Sequence, residues 1–456
     1  MIWAAENLYW AVILLVALGS LLFLFTQGGR PKNFPPGLPI LPLVGSLLSM
    51  PNGPTRESFR NLKKKYGNMA SFGYFDKRLV LVSGVSTMRE VFSKKEASGR
   101  AEFLLSATRN YMLSEGRSIN LGIKGSSGNK WQEQRRFLLH HLRDLGFGKT
   151  SYEPMIMEEV TELMEYLEQQ NGQPITMKRV FNRSVVNVLW GMVMGKRYSY
   201  GHKKLQTLLK NFLQLTDVYI LSPIMFLPGI TKLATYLPSL KENVTAIQNI
   251  IKFIKDEIHE FIASDDGITT NCLTSLYLQE MRKSGDKPTY FDMDQMTAVI
   301  MEMFVAGMET TSSTLTFGIY MMAKHPDAQK RVQQELDQVL GNDKQPSFSE
   351  KELLPYTLAV IHEIQRTFKL IGFSLPHSAL EDCYLAGYFI PKGTVLLANL
   401  DDALSDTQLW KDSQHFHPDN FLDENGKYKK NEAFLPFGIG KPNVWAAIST
   451  PLSCTS

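Results

Sequence analysis

Cysteine is scarce in this chain. Cys272, Cys383 and Cys454 are the only three in 456 residues. No two stand at metal-site spacing, so neither a disulfide framework nor a zinc module holds the fold. Such usage fits a reducing compartment. An excess of one charge is missing too: 49 Lys and Arg face 45 Asp and Glu, a net +4. Over this length that is too little to argue for nucleic acid as a partner. Short basic runs such as Lys63-Lys64-Lys65 read as solvated faces. Beyond Gly45 there is no further linker, repeat or low-complexity stretch. The length suits one large domain or two.

The first eight residues carry no Lys or Arg, which argues against the positive n-region of a cleaved signal peptide. The next stretch, Tyr9 to Thr26, has no charged residue at all. Roughly 18 residues at 1.5 Å each span about 27 Å, close to the hydrocarbon thickness of a bilayer. Residues 1–30 are therefore expected to form a single N-terminal transmembrane anchor. Tyr9 and Trp10 stand at the interface, and Arg30 and Lys32 come after the span, which leaves the body on the cytosolic side. Pro31, Pro35, Pro36, Pro39 and Pro42 make residues 31–45 a stiff hinge or an ordinary linker.

The body reads as mainly α with small β-sheets. Met69–Phe75 and Arg78–Ser83 suggest a hairpin turning at Asp76-Lys77, and Tyr384–Leu397 a β patch with turns at Gly387 and Gly393. A helix of about 30 residues is expected from Asp294 to Lys324, ending before Pro326 and apolar almost all round, as a central helix would be. A second membrane span is the rival, but Glu302 and Glu309 would be costly in lipid. Another helix is expected to open with a capping box at Ser349 and Glu352 and to run to Phe368.

Three patterns carry possible chemistry. Ala306-Gly307-Met308-Glu309-Thr310-Thr311 lies inside the long helix. Small residues there let something flat approach the backbone, and a Thr310 hydroxyl can bond the Ala306 carbonyl with a carboxylate, Glu309, beside it. That is a proton-delivery arrangement, or else close helix packing with a solvent-facing Glu. Glu363 and Arg366 share a helix face, where an exposed pair is the common case. Trp131 and Arg135, one turn apart, offer an indole N–H and a guanidinium to an anion, or form a surface cation–π pair.

These patterns occur in a fixed order: the greasy start, the proline hinge, Trp131-x-x-x-Arg135, Ala306-Gly307-x-Glu309-Thr310-Thr311, Glu363-x-x-Arg366, Phe416-His417-Pro418-Asp419-Asn420-Phe421 and Phe434-Leu435-Pro436-Phe437-Gly438. The order resembles the cytochrome P-450 superfamily, in its animal microsomal form that hydroxylates drugs and lipids. The resemblance implies a haem-monooxygenase body over residues 46–441, with haem b as cofactor. It also implies an endoplasmic-reticulum membrane location, small apolar substrates (xenobiotics, fatty acids, steroids), and electrons from NADPH–cytochrome P-450 reductase, with cytochrome b5 as a further donor. Thr310 would be the oxygen-activating threonine and Glu309 its acid. Ala306 and Gly307 would border the haem, and Arg100, Trp131, Arg135 and His377 would bind its propionates. Glu363 and Arg366 would be a buried structural pair, and Phe437 and Gly438 would open the loop around the axial sulfur.

The resemblance stops after Lys441. The family loop continues Gly-x-Arg-x-Cys-x-Gly and then a helix, whereas this chain has Pro442 at the arginine's place and Val444 at the cysteine's. Valine cannot ligate iron. Residues 442–456 are expected to be an aberrant tail produced by a shifted reading frame, and the chain as written to be a haem-poor, catalytically silent variant. Asn420 stands where many members have Arg.

Overall fold

The computed structural model describes residues 11–15, 17–19, 21, 30–41, 44–50, 53–101, 104–116, 119–199, 202–216, 238–264, 271–284, 289–341 and 344–439. Most of the expected anchor, and all of the expected tail, lie outside these residues. Among the described residues, no helix is long and apolar enough to cross a membrane.

The hairpin forms where alternation placed it. Strands β1 (Met69–Tyr74) and β2 (Lys77–Val82) pair antiparallel, with Phe75 at φ 54° in the turn. The distal patch divides. Strands β5 (Cys383–Leu385) and β6 (Tyr388–Ile390) make their own ribbon around Gly387, while β7 (Val395–Ala398) leaves it to lie parallel to β2. With β3 (Gly99–Arg100) and β4 (His377–Ser378) this completes a five-stranded sheet, ordered β1-β2-β7-β4-β3. The β3–β4 register sets Arg100 opposite His377.

The remainder is mainly helical. We number the helices α1 (Arg56–Tyr66), α2 (Val85–Ser93), α3 (Leu104–Leu113), α4 (Gly128–Asp144), α5 (Glu153–Glu168), α6 (Asn182–Met194), α7 (Lys203–Thr216), α8 (Pro238–Ala263), α9 (Leu273–Ser284), α10 (Met293–Lys324), α11 (Pro326–Leu340), α12 (Pro355–Phe368) and α13 (Leu400–Ser405). Helix α10 is the long one. Asp292 caps it by accepting the Gln295 N–H at 2.7 Å, and it gives way at His325, before Pro326. Its central packing is against α6 and α7, where Trp190 and Phe212 lie 5.2 and 5.7 Å from Phe304. Only its first two-thirds are central, because Ile319 and Tyr320 are about half exposed.

Two expectations need correction. The helix carrying Glu363 does not begin at Ser349. A 3-10 turn, Phe348–Leu353, precedes it with Ser347 as its cap, and Leu354, held extended before Pro355, separates the two. The segment after Arg30 is also more than a spacer. Leu38 N donates to Ser71 O at 2.9 Å, Ser71 N to Pro36 O at 2.8 Å, and Ser46 N to Gly73 O at 2.7 Å. The prolines lie along the free edge of β1, where a strand lacking donors does least harm. Of the basic run, Lys63 is paired with Asp402 at 2.5 Å, whereas Lys64 and Lys65 are exposed.

Gly37 makes this docking possible, since a Cβ there would collide with the Ser71 carbonyl. Gly37→Ala is expected to release the segment and to cost on the order of 2–3 kcal/mol. Thermal unfolding and proteolysis between residues 31 and 45 check this; an unchanged melting point with no new cleavage would show that the docking is dispensable.

Candidate functional site

One face of α10 carries Glu302, Ala306 and Thr310, four residues apart. The Thr310 hydroxyl donates to the Ala306 carbonyl at 2.5 Å, diverting that oxygen from the helix ladder. Glu309 turns toward α6. Its carboxylate accepts from Asn182 Nδ2 at 3.2 Å and from Ser313 Oγ at 3.1 Å. A hydroxyl and a half-buried acid therefore stand side by side, the acid held by neutral donors. Gly307 serves another purpose than the one expected of it. A Cβ there would lie 3.0 Å from Leu189 Cδ1, so the close approach it permits is that of α6, not of a flat ligand.

The second group gathers around β3, β4 and α4. Arg100 and His377 face each other across the strands, with Trp131 and Arg135 on the neighbouring helix turn. His377 Nδ1 is 3.0 Å from the Ala97 carbonyl, and its ring meets Phe92 edge-on at 4.9 Å. Burial, with Arg100 beside it, pushes the imidazole down to about 3, so it is neutral. Burial also lowers Arg100 to about 10; Glu302 opposes that shift and Arg135 adds to it. The Arg135 guanidinium lies 5.6 Å over the Trp131 ring. Trp131 Nε1 and Arg135 Nε are buried and meet no acceptor of the protein. Buried donors need acceptors, and cations crowded out of water need an anion. On this side the residues fit the two carboxylates of haem b.

A third cluster had no sequence signal beyond Glu302 itself. The Glu302 carboxylate receives Arg109 Nη1 at 2.5 Å and the N–H groups of Ile123 and Lys124, both at 2.8 Å. Gln295 and Gly122 exchange two further bonds, and Gly122, at φ 78°, leaves no room for a Cβ beside Glu302. The loop before α4 is thus clamped onto α10. The carboxylate that spoke against a membrane span is a buried anchor for that loop.

Glu363 and Arg366 are buried completely, with no side-chain exposure. Arg366 donates to Glu363 at 2.6 and 2.7 Å, and to the carbonyls of Leu404, Ser413 and His415 at 3.0, 2.9 and 2.8 Å. Glu363 also accepts His417 N at 2.7 Å. Asn420, in place of the family's usual arginine, reaches Glu363 Oε1 at 3.5 Å while accepting Lys411 N at 2.8 Å. Beyond this meander the chain turns at Leu435–Gly438, with Gly438 at φ 88°, and Phe437 is half-buried. Pro442, Val444 and Cys454 lie outside the described residues.

Comparison with known proteins agrees with this geometry. Residues 35–443 match the family model described as Cytochrome P450. Cytochrome P450 2J3 of Rattus norvegicus is 34% identical over 443 residues, covering 94% of this chain and 85% of the relative. Cytochrome P450 2J2 of Homo sapiens is 34% identical over 441 residues, covering 95% and 86%. Cytochrome P450 2D14 of Bos taurus is 32% identical over 455 residues, covering 97% and 88%.

Removing one partner of a buried ion pair costs about 3–5 kcal/mol, since the other is left charged and dry. A lysine at 366 keeps the charge but cannot serve four acceptor groups in a planar fork. Arg366→Lys is therefore expected to lower the unfolding midpoint sharply, as scanning calorimetry would record. Wild-type stability in that variant would mean that the meander holds without the pair.

Proposed function

We propose a function from a plain premise: this chain belongs to the cytochrome P450 family. The family's cofactor is haem b. In our reading the chain is an anchored haem protein of the endoplasmic-reticulum membrane, its body in the cytosol. Its site is built for small apolar substrates and for electrons from NADPH–cytochrome P450 reductase, with cytochrome b5 as a further donor. The uncharged run Tyr9–Thr26, with Arg30 and Lys32 after it, supports the topology. Asn182 and Asn243, which head two glycosylation sequons, are both buried, so absence of glycan would not by itself decide it.

The observation that carries this reading is the pair of buried donors, Trp131 Nε1 and Arg135 Nε, beside Arg100 and neutral His377. They suit a rigid dianion. When bound, haem supplies the redox chemistry that splits dioxygen. The chain's own residues orient it and move protons. Arg100, Trp131, Arg135 and His377 fix the propionate edge. Thr310 holds a hydroxyl proton over the Ala306 carbonyl, where a small rotation about χ1 can redirect it. Glu309 stores a proton equivalent one residue away, with Asn182 and Ser313 setting the rotamer from which it acts.

The axial side departs from the family, and we read the chain as written as catalytically silent. Val444 stands in the cysteine's place, and its side chain has no donor atom for iron. Cys272 is packed in the helical core, and the Cys383 thiol lies 3.9 Å from the Ile390 carbonyl within the β5–β6 ribbon. Neither stands on the loop after Phe437. Without a thiolate, the electron push that favours O–O cleavage is lost. The second reading, a membrane protein without enzymatic activity, rests on the same residue.

Ferric haem titrated into the purified chain is expected to bind in one-to-one proportion. Arg135→Gln should weaken binding about tenfold, as loss of one charge-assisted hydrogen bond predicts. Equal affinity in the two proteins, or no saturable binding in either, would count against the reading.

A further inference from the structure

Cations outnumber anions where the clamped loop meets the haem-side arginines. Arg100, Arg109, Lys124 and Arg135 gather there, and among the described residues Glu302 is the carboxylate that acts on Arg100 and Lys124. Two propionates would still leave this group with one positive charge in excess. Surplus charge away from water is costly unless an anion comes to it.

The excess is best assigned to Lys124. Arg109 is fully engaged, by Glu302, by Asn110 Oδ1 at 2.7 and 3.1 Å, and by the Leu121 carbonyl at 2.7 Å. Arg100 and Arg135 flank the buried donors already matched to propionates. Lys124 differs in setting. Its backbone is pinned to Glu302, yet its side chain keeps accessible surface while Glu302 and Arg109 beside it are buried. A half-accessible side chain among buried neighbours faces an internal cavity. Burial and the adjacent arginines lower its amine to about 8, with Glu302 opposing, so at neutral pH it is still mostly an ammonium.

Its place along α10 supplies the direction. Glu302, Ala306 and Thr310 share one face, and eight residues at 1.5 Å separate Glu302 from Thr310 by about 12 Å. A ligand held at the Glu302 end would extend along Ala306 toward the Thr310 hydroxyl.

We propose that Lys124 recognises the carboxylate of an apolar acid, so that the site prefers anionic over neutral substrates of equal size. The proposal rests on the haem-monooxygenase reading of this site, but its test is a binding measurement that does not need turnover. Octanoate and 1-octanol share an alkyl chain and differ in charge. Isothermal titration of the full-length purified protein is expected to give at least tenfold tighter binding for octanoate, retained in Lys124→Arg and lost in Lys124→Met. Haem affinity, measured in the same proteins, should be the same in Lys124→Met as in wild type. Equal affinity for acid and alcohol in the wild type, or a preference that survives Lys124→Met, overturns the proposal. So does a Lys124→Met protein that loses haem affinity and keeps the octanoate preference, because Lys124 would then be a propionate ligand. A wild type that binds no haem yet prefers octanoate through Lys124 would sink the haem reading alone and leave the carboxylate site standing.

Discussion

One guanidinium organises the C-terminal third of the described chain. Arg366 has no contact with water, and its donors are divided between Glu363 and three backbone carbonyls from segments 38 to 49 residues further on. Those carbonyls belong to irregular backbone, which cannot satisfy itself as a helix or strand does. Glu363 adds the N–H of His417. The pair thus supplies the hydrogen bonds that the loops after α13 lack, and the aromatic cluster of Trp410, Phe421 and Phe434 closes over them. The turn at Phe437 and Gly438 is reached only through this meander.

The distal side depends on a second buried ion pair of the same logic. Glu302 draws Arg109 and the N–H groups of Ile123 and Lys124 onto α10, so the loop before α4 cannot swing free of the helix face that bears Thr310. That loop leads directly into α4, whose first turns carry Trp131 and Arg135. Holding the loop therefore also aims the two donors that await carboxylates. Gly307 lets α6 approach closely enough for Asn182 to reach Glu309. Packing, electrostatics and the proton-bearing groups are set by the same few contacts.

Much of this was legible in the sequence, and the rest was hidden for identifiable reasons. The β1–β2 hairpin and the α10 helix arise from local periodicity and from Pro326, and both form. The Thr310 bond to Ala306 is local as well. The burial of Glu363 and Arg366 is not, since i, i+3 spacing looks the same on a surface and in a core. Only the distant carbonyls of Leu404, Ser413 and His415 distinguish the two. The capping pattern at Ser349 misled because Pro355 resets the helix start. Gly307 looked like room for a ligand, but a glycine says nothing about what fills the space. Docking of the proline segment on β1 required the edge at Ser71, which no local pattern reveals. The role of Lys124 depends on a charge count that exists only once four distant cations are brought together.

The central claim is that the chain keeps the propionate-binding side of a haem site and has lost its axial sulfur. The most direct test is the carbon-monoxide spectrum of the reduced, haem-loaded protein. The account predicts bound haem whose carbonyl spectrum is not of the thiolate-ligated type. A thiolate-type spectrum from the 456-residue chain would contradict it, and would mean that one of the three cysteines reaches the iron after all.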